Sequence, residues 1–128
     1  MRKTTILIVS SPSLSRIINY LFRGWSEFEI VGTVSGLGNL ERQAQQLLPE
    51  LIVADVKPVS RQVCLMVASI KQSSPLSKLI LICPIDDFSR LARKCGADAC
   101  LTDEKLAGHL LRTARTLTKR PTTAGVSE

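Results

Sequence analysis

Three short runs in this chain are too apolar to be half-exposed. Ile6-Leu7-Ile8-Val9, Leu51-Ile52-Val53-Ala54 and Leu79-Ile80-Leu81-Ile82 contain no polar residue, and so lack the alternation of a strand with one wet face. Each is short and reads as a strand, and the first, continuing from Thr4-Thr5, as one covered on both faces. Such strands belong to a parallel sheet with a layer of helix on either side.

The segments between them supply those helices. Ser10-Ser11-Pro12-Ser13 is a turn with helix-starting residues. Leu14, Ile17, Ile18, Leu21 and Phe22 follow at helical spacing, which predicts an amphipathic helix to about Trp25, with Gly24 at its end. Glu29 to Val34 is a more polar strand, nearer an edge, and Gly36 and Gly38 form a loop. Leu40, Ala44, Leu47 and Leu48 predict a helix stopped by Pro49. Asp55 ends the third strand. Val63, Met66, Val67 and Ile70 mark a helix ending near Ser73-Ser74-Pro75, and Phe88, Leu91, Ala92 and Cys95 a short one closed by Gly96. Ala99-Cys100-Leu101 is a brief strand, and Leu106, Leu110, Leu111, Ala114 and Leu117 define a last helix. Five β/α units in succession place the chain in the α/β class, as a doubly wound parallel sheet. Residues 1–119 form one domain, and residues 120–128 read as a linker or frayed tail.

With 128 residues the chain suits a single core. No apolar run approaches the roughly 18 residues that cross a bilayer, and Ile6 to Val9 is too short for the core of a signal peptide. The expectation is a soluble, cytoplasmic protein with no membrane partner. Cys64, Cys83, Cys95 and Cys100 give no CxxC spacing, and the lone His109 has no nearby cysteine in a zinc pattern. They read as reduced thiols packed in a core. The net charge of +6 favours acidic partners, but the basic residues are spread along the chain and aromatics are few.

Four segments, in order, resemble the receiver domain of bacterial response regulators, over roughly residues 4 to 117. They are Ile6 to Val9 with two polar residues and Arg16 after it; Pro49-Glu50-Leu51-Ile52-Val53-Ala54-Asp55; Gly96-Ala97-Asp98-Ala99-Cys100-Leu101-Thr102; and His109 to Arg115. The resemblance implies a five-stranded sheet in the flavodoxin-like order 2-1-3-4-5, with the site at the C-terminal ends of the strands. It implies an acidic pair after the first strand, a phosphoacceptor aspartate after the third, a hydroxyl after the fourth and a lysine after the fifth. Here the pair falls on Ser10 and Ser11, the aspartate on Asp55, the hydroxyl on Cys83 and the lysine on Asp103, with Lys105 two residues further on. The aromatic of the fifth strand is replaced by Cys100. In the loop after Asp55, Val59 and Val63 stand where the family has proline and glycine, and Pro58 lies one position early.

Mg²⁺ is held by carboxylates, phosphate oxygens and water, so its binding is expected to be lost or very weak, and no other cofactor is implied. The ordinary roles of the departing residues are a turn and helix cap for Ser10, Ser11 and Ser13, and complementing a helix N-terminus for Asp103. An anion site is the sharper alternative for the serines. Partner docking falls on the last two helices and the fifth strand: Arg90, Arg93, Lys94, Cys100, Arg112 and Arg115, with Lys119 and Arg120 beyond.

The leading expectation is a non-enzymatic, degenerate receiver that signals by binding a protein partner, its own effector domain or a second copy of itself. The alternatives are a phosphoacceptor receiver using Asp55, the regulatory part of a DNA-binding transcriptional regulator, and a flavodoxin-like carrier. Nucleic acid would be reached through an effector or the basic last helices. For Cys83 and Cys100, buried packing is weighed against a redox switch.

Overall fold

In a computed structural model of the chain the three apolar runs lie side by side at the centre of one sheet. Residues 3–56, 61–83 and 94–118 are described, Leu37 in its backbone only. The elements are β1 (Thr4–Val9), α1 (Pro12–Arg23), β2 (Phe28–Val34), a 3-10 turn (Leu37–Asn39), α2 (Leu40–Leu47), β3 (Leu51–Asp55), α3 (Arg61–Ser73), β4 (Lys78–Cys83), β5 (Ala99–Thr102) and α4 (Asp103–Thr118). All strand pairs are parallel, in the order β2-β1-β3-β4-β5. That is the expected doubly wound sheet. The helix expected around Phe88, Leu91 and Ala92, the loop at Pro58 and Val59, and the tail 120–128 lie outside the described residues.

Alternation along the central strands divides the core in two. Leu7, Val9, Ile52, Ala54, Leu79 and Leu81 face α2 and α3, with Leu40, Ala44, Val63, Val67 and Ile70 packed on them. Ile6, Ile8, Leu51, Val53, Ile80 and Ile82 face α1 and α4, meeting Ile18, Phe22, Leu106, Leu110 and Ala114. Each fully buried Ile or Leu contributes about 1.5–3 kcal/mol relative to exposure. The edge strands are only partly covered, as the polar residues of Glu29 to Val34 require.

Local chemistry sets the element ends. Ser11 caps α1 by accepting a hydrogen bond from the Leu14 N–H at 3.3 Å, and Pro12 occupies the first turn. Leu48 closes α2 with a left-handed φ of 45°, immediately before Pro49. Gly96 has φ +106°, which an L side chain rarely adopts. The last helix starts at Asp103, three residues before Leu106, because Asp103 and Glu104 sit favourably in its first turn.

Two polar clips hold the layers together. At the N-terminal end of β4 and β5, Asp98 Oδ2 accepts from the Lys71 Nζ at 2.5 Å and from the Leu79 N–H at 2.7 Å. Lys71 also donates to the Ser77 carbonyl, and the buried Ser77 hydroxyl bonds the Pro49 carbonyl and pairs with Ser74. The second clip joins α4 to the α1–β2 loop. Arg115 lies over the Trp25 ring, 4.1 Å from its centroid, and donates to both carboxylate oxygens of Glu27. That guanidinium holds the Glu27 carboxyl below its ordinary range.

The cysteines correct an expectation. Where packed reduced thiols were expected, Cys64 is paired with Cys95 and Cys83 with Cys100, each as a bridge. The physical reason is register. Cys100 pairs with Leu81 and Thr102 with Cys83, so Cys83 and Cys100 sit two positions apart on one face of neighbouring strands, with a Cα–Cα distance of 6.5 Å.

Candidate functional site at the strand ends

Parallel strands bring their C-terminal ends to one edge, and the expected residues meet there. Val9 pairs with Ala54, so Ser10 lies beside Asp55; Asp55 pairs with Ile82, next to Cys83; Cys83 pairs with Thr102, next to Asp103. The Val56 N–H donates to the Ile82 carbonyl and continues the ladder past Asp55.

The chemistry available is nevertheless sparse. Ser10 is buried, donates its backbone N–H to the Val34 carbonyl, and shares a 2.6 Å hydrogen bond between its hydroxyl and that of Ser15. Ser11 is occupied by capping α1. Asp55 keeps its place at the end of β3, with Oδ1 shielded from solvent. Cys83 has no exposed surface and its sulfur is bonded to Cys100, so it offers no thiol to a bound group. Asp103 and Lys105 lie exposed in the first turn of α4. Among the described residues, the positions that the resemblance assigns to a divalent cation hold the carboxylate of Asp55 beside the hydroxyls of Ser10 and Ser11, both engaged locally. Among the described residues no group of three or more His, Cys, Asp or Glu is placed to hold a metal ion.

A groove of about 390 Å³ opens beside Ser10, lined by Ser15, Arg16, Asn19, Thr33 and Ser35 among others. A second, of about 320 Å³, runs between β5 and α4 and is lined by Asp98 to Leu101 with Arg112, Thr113, Thr116 and Leu117. Of the residues expected on the docking face, Cys100 and Arg112 border this second groove. Lys94 is exposed just ahead of Cys95. Arg90, Arg93, Lys119 and Arg120 lie outside the described residues. Arg115 is also exposed, but its guanidinium is committed to Glu27 and Trp25.

Sequence reasoning missed the roles of Asp98, Trp25 and Glu27. Asp98 was visible only as part of a Gly-Ala-Asp segment. Its burial partner, the Leu79 N–H, is 19 residues away and carries no signal in sequence.

The sequence matches no family model and no curated protein. Solved structures of similar shape are numerous, and the three that follow share 15–22% identity with this chain. One is a DNA-binding response regulator of the LuxR family from Staphylococcus aureus, with 15% identity, TM-score 0.76, and 90% of this chain and 98% of that one covered. Another is the response regulator domain of CheB from Thermotoga maritima, with 16% identity, TM-score 0.77, and coverage of 94% and 100%. A third comes from the complex of the P1 domain of CheA3 with CheY6 from R. sphaeroides, with 22% identity, TM-score 0.75, and coverage of 94% and 100%. The sheet order, the two helical layers and these likenesses together show that the chain has the fold of response-regulator receiver domains.

Proposed function

We propose that this chain is a receiver-type signalling domain that works by docking a partner and not by accepting a phosphoryl group. The observation that carries the reading is the strand-end donor set. Phosphoryl transfer needs positive charge around three equatorial oxygens, supplied by metal ions and a cationic side chain. Around Asp55 the corresponding places hold Ser10, Ser11, a disulfide-bonded Cys83 and the anionic Asp103. A phosphoryl group on Asp55 would thus lack the carboxylate-held metal and the lysine that the resemblance implies at those places.

Signal must then pass through a surface, and the β5–α4 groove supports that role. Arg112 stands at its rim, exposed, and forms no ion pair among the described residues. Placed there, a single unneutralised guanidinium favours an acidic partner and fixes its orientation. The proteins of similar fold include a DNA-binding regulator and a CheY6 in complex with the P1 domain of CheA3. They support a protein partner or an effector domain of the same polypeptide, in two-component-type signalling within the cytoplasm.

The competing reading keeps Asp55 as a phosphoacceptor, and its placement at the end of β3 is in favour of that. Incubation with acetyl phosphate and Mg²⁺, followed by intact-mass measurement, separates the two. No adduct is expected. A phosphoryl adduct that disappears in Asp55→Asn would establish the phosphoacceptor instead.

A further inference from the structure

We propose that the Cys83–Cys100 bridge is a reversible thiol–disulfide switch that sets the shape of the β5–α4 groove. The bridge joins the two ends of the molecule's functional geography. Cys83 closes β4 with no exposed surface, beside the strand end that carries Asp55. Cys100 is half-buried on β5: its side chain packs with Cys83 on the α2/α3 face of the sheet, and the residue borders the groove, together with Arg112, through the strand itself. β5 is an edge strand of four residues paired only to β4, so few hydrogen bonds fix its position. A covalent tie from its second residue to β4 adds to that pairing and to the Asp98 clip. Cutting the tie lets the groove wall shift while β1, β2 and β3 keep their packing. The second bridge, between Cys64 and Cys95, anchors the residues ahead of β5 to α3 and does not enter the groove.

The chemistry balances with a small-molecule thiol as reductant. Its thiolate attacks the Sγ of Cys100, the less buried residue of the pair. The Cys83–Cys100 bond breaks, its electron pair passes to Cys83, and Cys83 takes up a proton. A second thiolate then attacks the small molecule's sulfur in the mixed disulfide, and Cys100 leaves and is protonated. Two thiols have become one small-molecule disulfide, and the protein has gained two electrons and two protons. Oxidation by that small-molecule disulfide reverses the sequence. In a reducing compartment a bridge of this kind is transient and redox-sensing.

The effect on docking rests on the face proposed above, but the chemistry does not, and it is tested without a partner. The double variant Cys64→Ser/Cys95→Ser, which isolates the bridge, is equilibrated in glutathione buffers from strongly oxidising to strongly reducing. It is trapped with N-ethylmaleimide and weighed, while amide NMR spectra are recorded at both extremes. The expected result is a two-electron transition inside the buffer range, with amide shifts at Leu101, Arg112, Thr113 and Thr116. Should the double variant not fold, peptide mapping of the wild-type chain in the same buffers follows each bridge separately. The proposal is overturned if the bridge never forms in oxidised glutathione, if it survives fully reducing buffer, or if shifts are confined to the two cysteines. Failure of the docking reading looks different: Arg112→Glu would leave partner binding intact while the redox transition persisted.

Discussion

Asp98→Ala offers the sharpest test of how the sheet is held together. Asp98 belongs to the Gly-Ala-Asp segment that most strongly resembles the receiver pattern, yet it lies at the end of the sheet opposite Asp55. Its carboxylate accepts from Lys71 and from the backbone N–H of Leu79, a residue with no exposed surface. Removing it leaves that N–H without an acceptor, at about 1–3 kcal/mol. The pair with Lys71, whose side chains are 28% and 22% exposed, adds no more than about 1 kcal/mol after solvent screening. The total is about 1–4 kcal/mol, whose middle corresponds to roughly 10 °C of thermal midpoint for a domain this size. Asp98→Asn keeps an acceptor for Leu79 and loses only charge, so about 1 kcal/mol is expected. Urea unfolding followed by circular dichroism measures both, with an unchanged slope and a shifted midpoint. An Ala variant within about 0.5 kcal/mol of wild type, or an Asn variant as damaged as Ala, would refute the assignment.

Other consequences follow from particular contacts. Leu110→Ala empties a fully buried site against the sheet and should cost about 2–5 kcal/mol by the same unfolding assay. Gly96→Ala meets only an ordinary contact, 3.6 Å from Val67 Cγ1, so its cost, about 1–2 kcal/mol, comes from the positive φ. The Glu27 carboxyl is held below its ordinary value of 4.5 by the Arg115 guanidinium, so its contribution is present above that value and lost as pH falls through the lowered pKa. Thermal midpoints measured across acid pH should therefore fall more steeply in wild type than in Glu27→Gln, and equal slopes would show that the clip contributes nothing.

Much of the fold was legible because the apolar runs of β1, β3 and β4 allow no other placement than a doubly covered sheet centre. The strand-end residues were equally legible: a strand's length and direction put Ser10, Asp55, Cys83 and Asp103 at one edge once the sheet is parallel. Contacts set by tertiary register were not. Cys83 and Cys100 fall on the same face of adjacent strands only when Leu81 pairs with Cys100, a match that local periodicity does not encode. Arg115 read as a free charge on a helix face, but the turn after α1 brings Trp25 and Glu27 beneath it, 88 residues from Glu27 in sequence. The neutral character of the Ser10–Ser11 pair was plain in sequence, whereas the engagement of both hydroxyls within the turn needed coordinates.

Whether the strand-end pocket holds a working cation site is decided by Mg²⁺ titration followed by amide NMR. No saturable shift is expected at Ser10, Ser11, Asp55 or Val56 through tens of millimolar Mg²⁺, only the gradual drift of weak screening. Saturation near the millimolar range, centred on those four amides and abolished by Asp55→Asn, would contradict that expectation and return phosphoryl chemistry to the pocket.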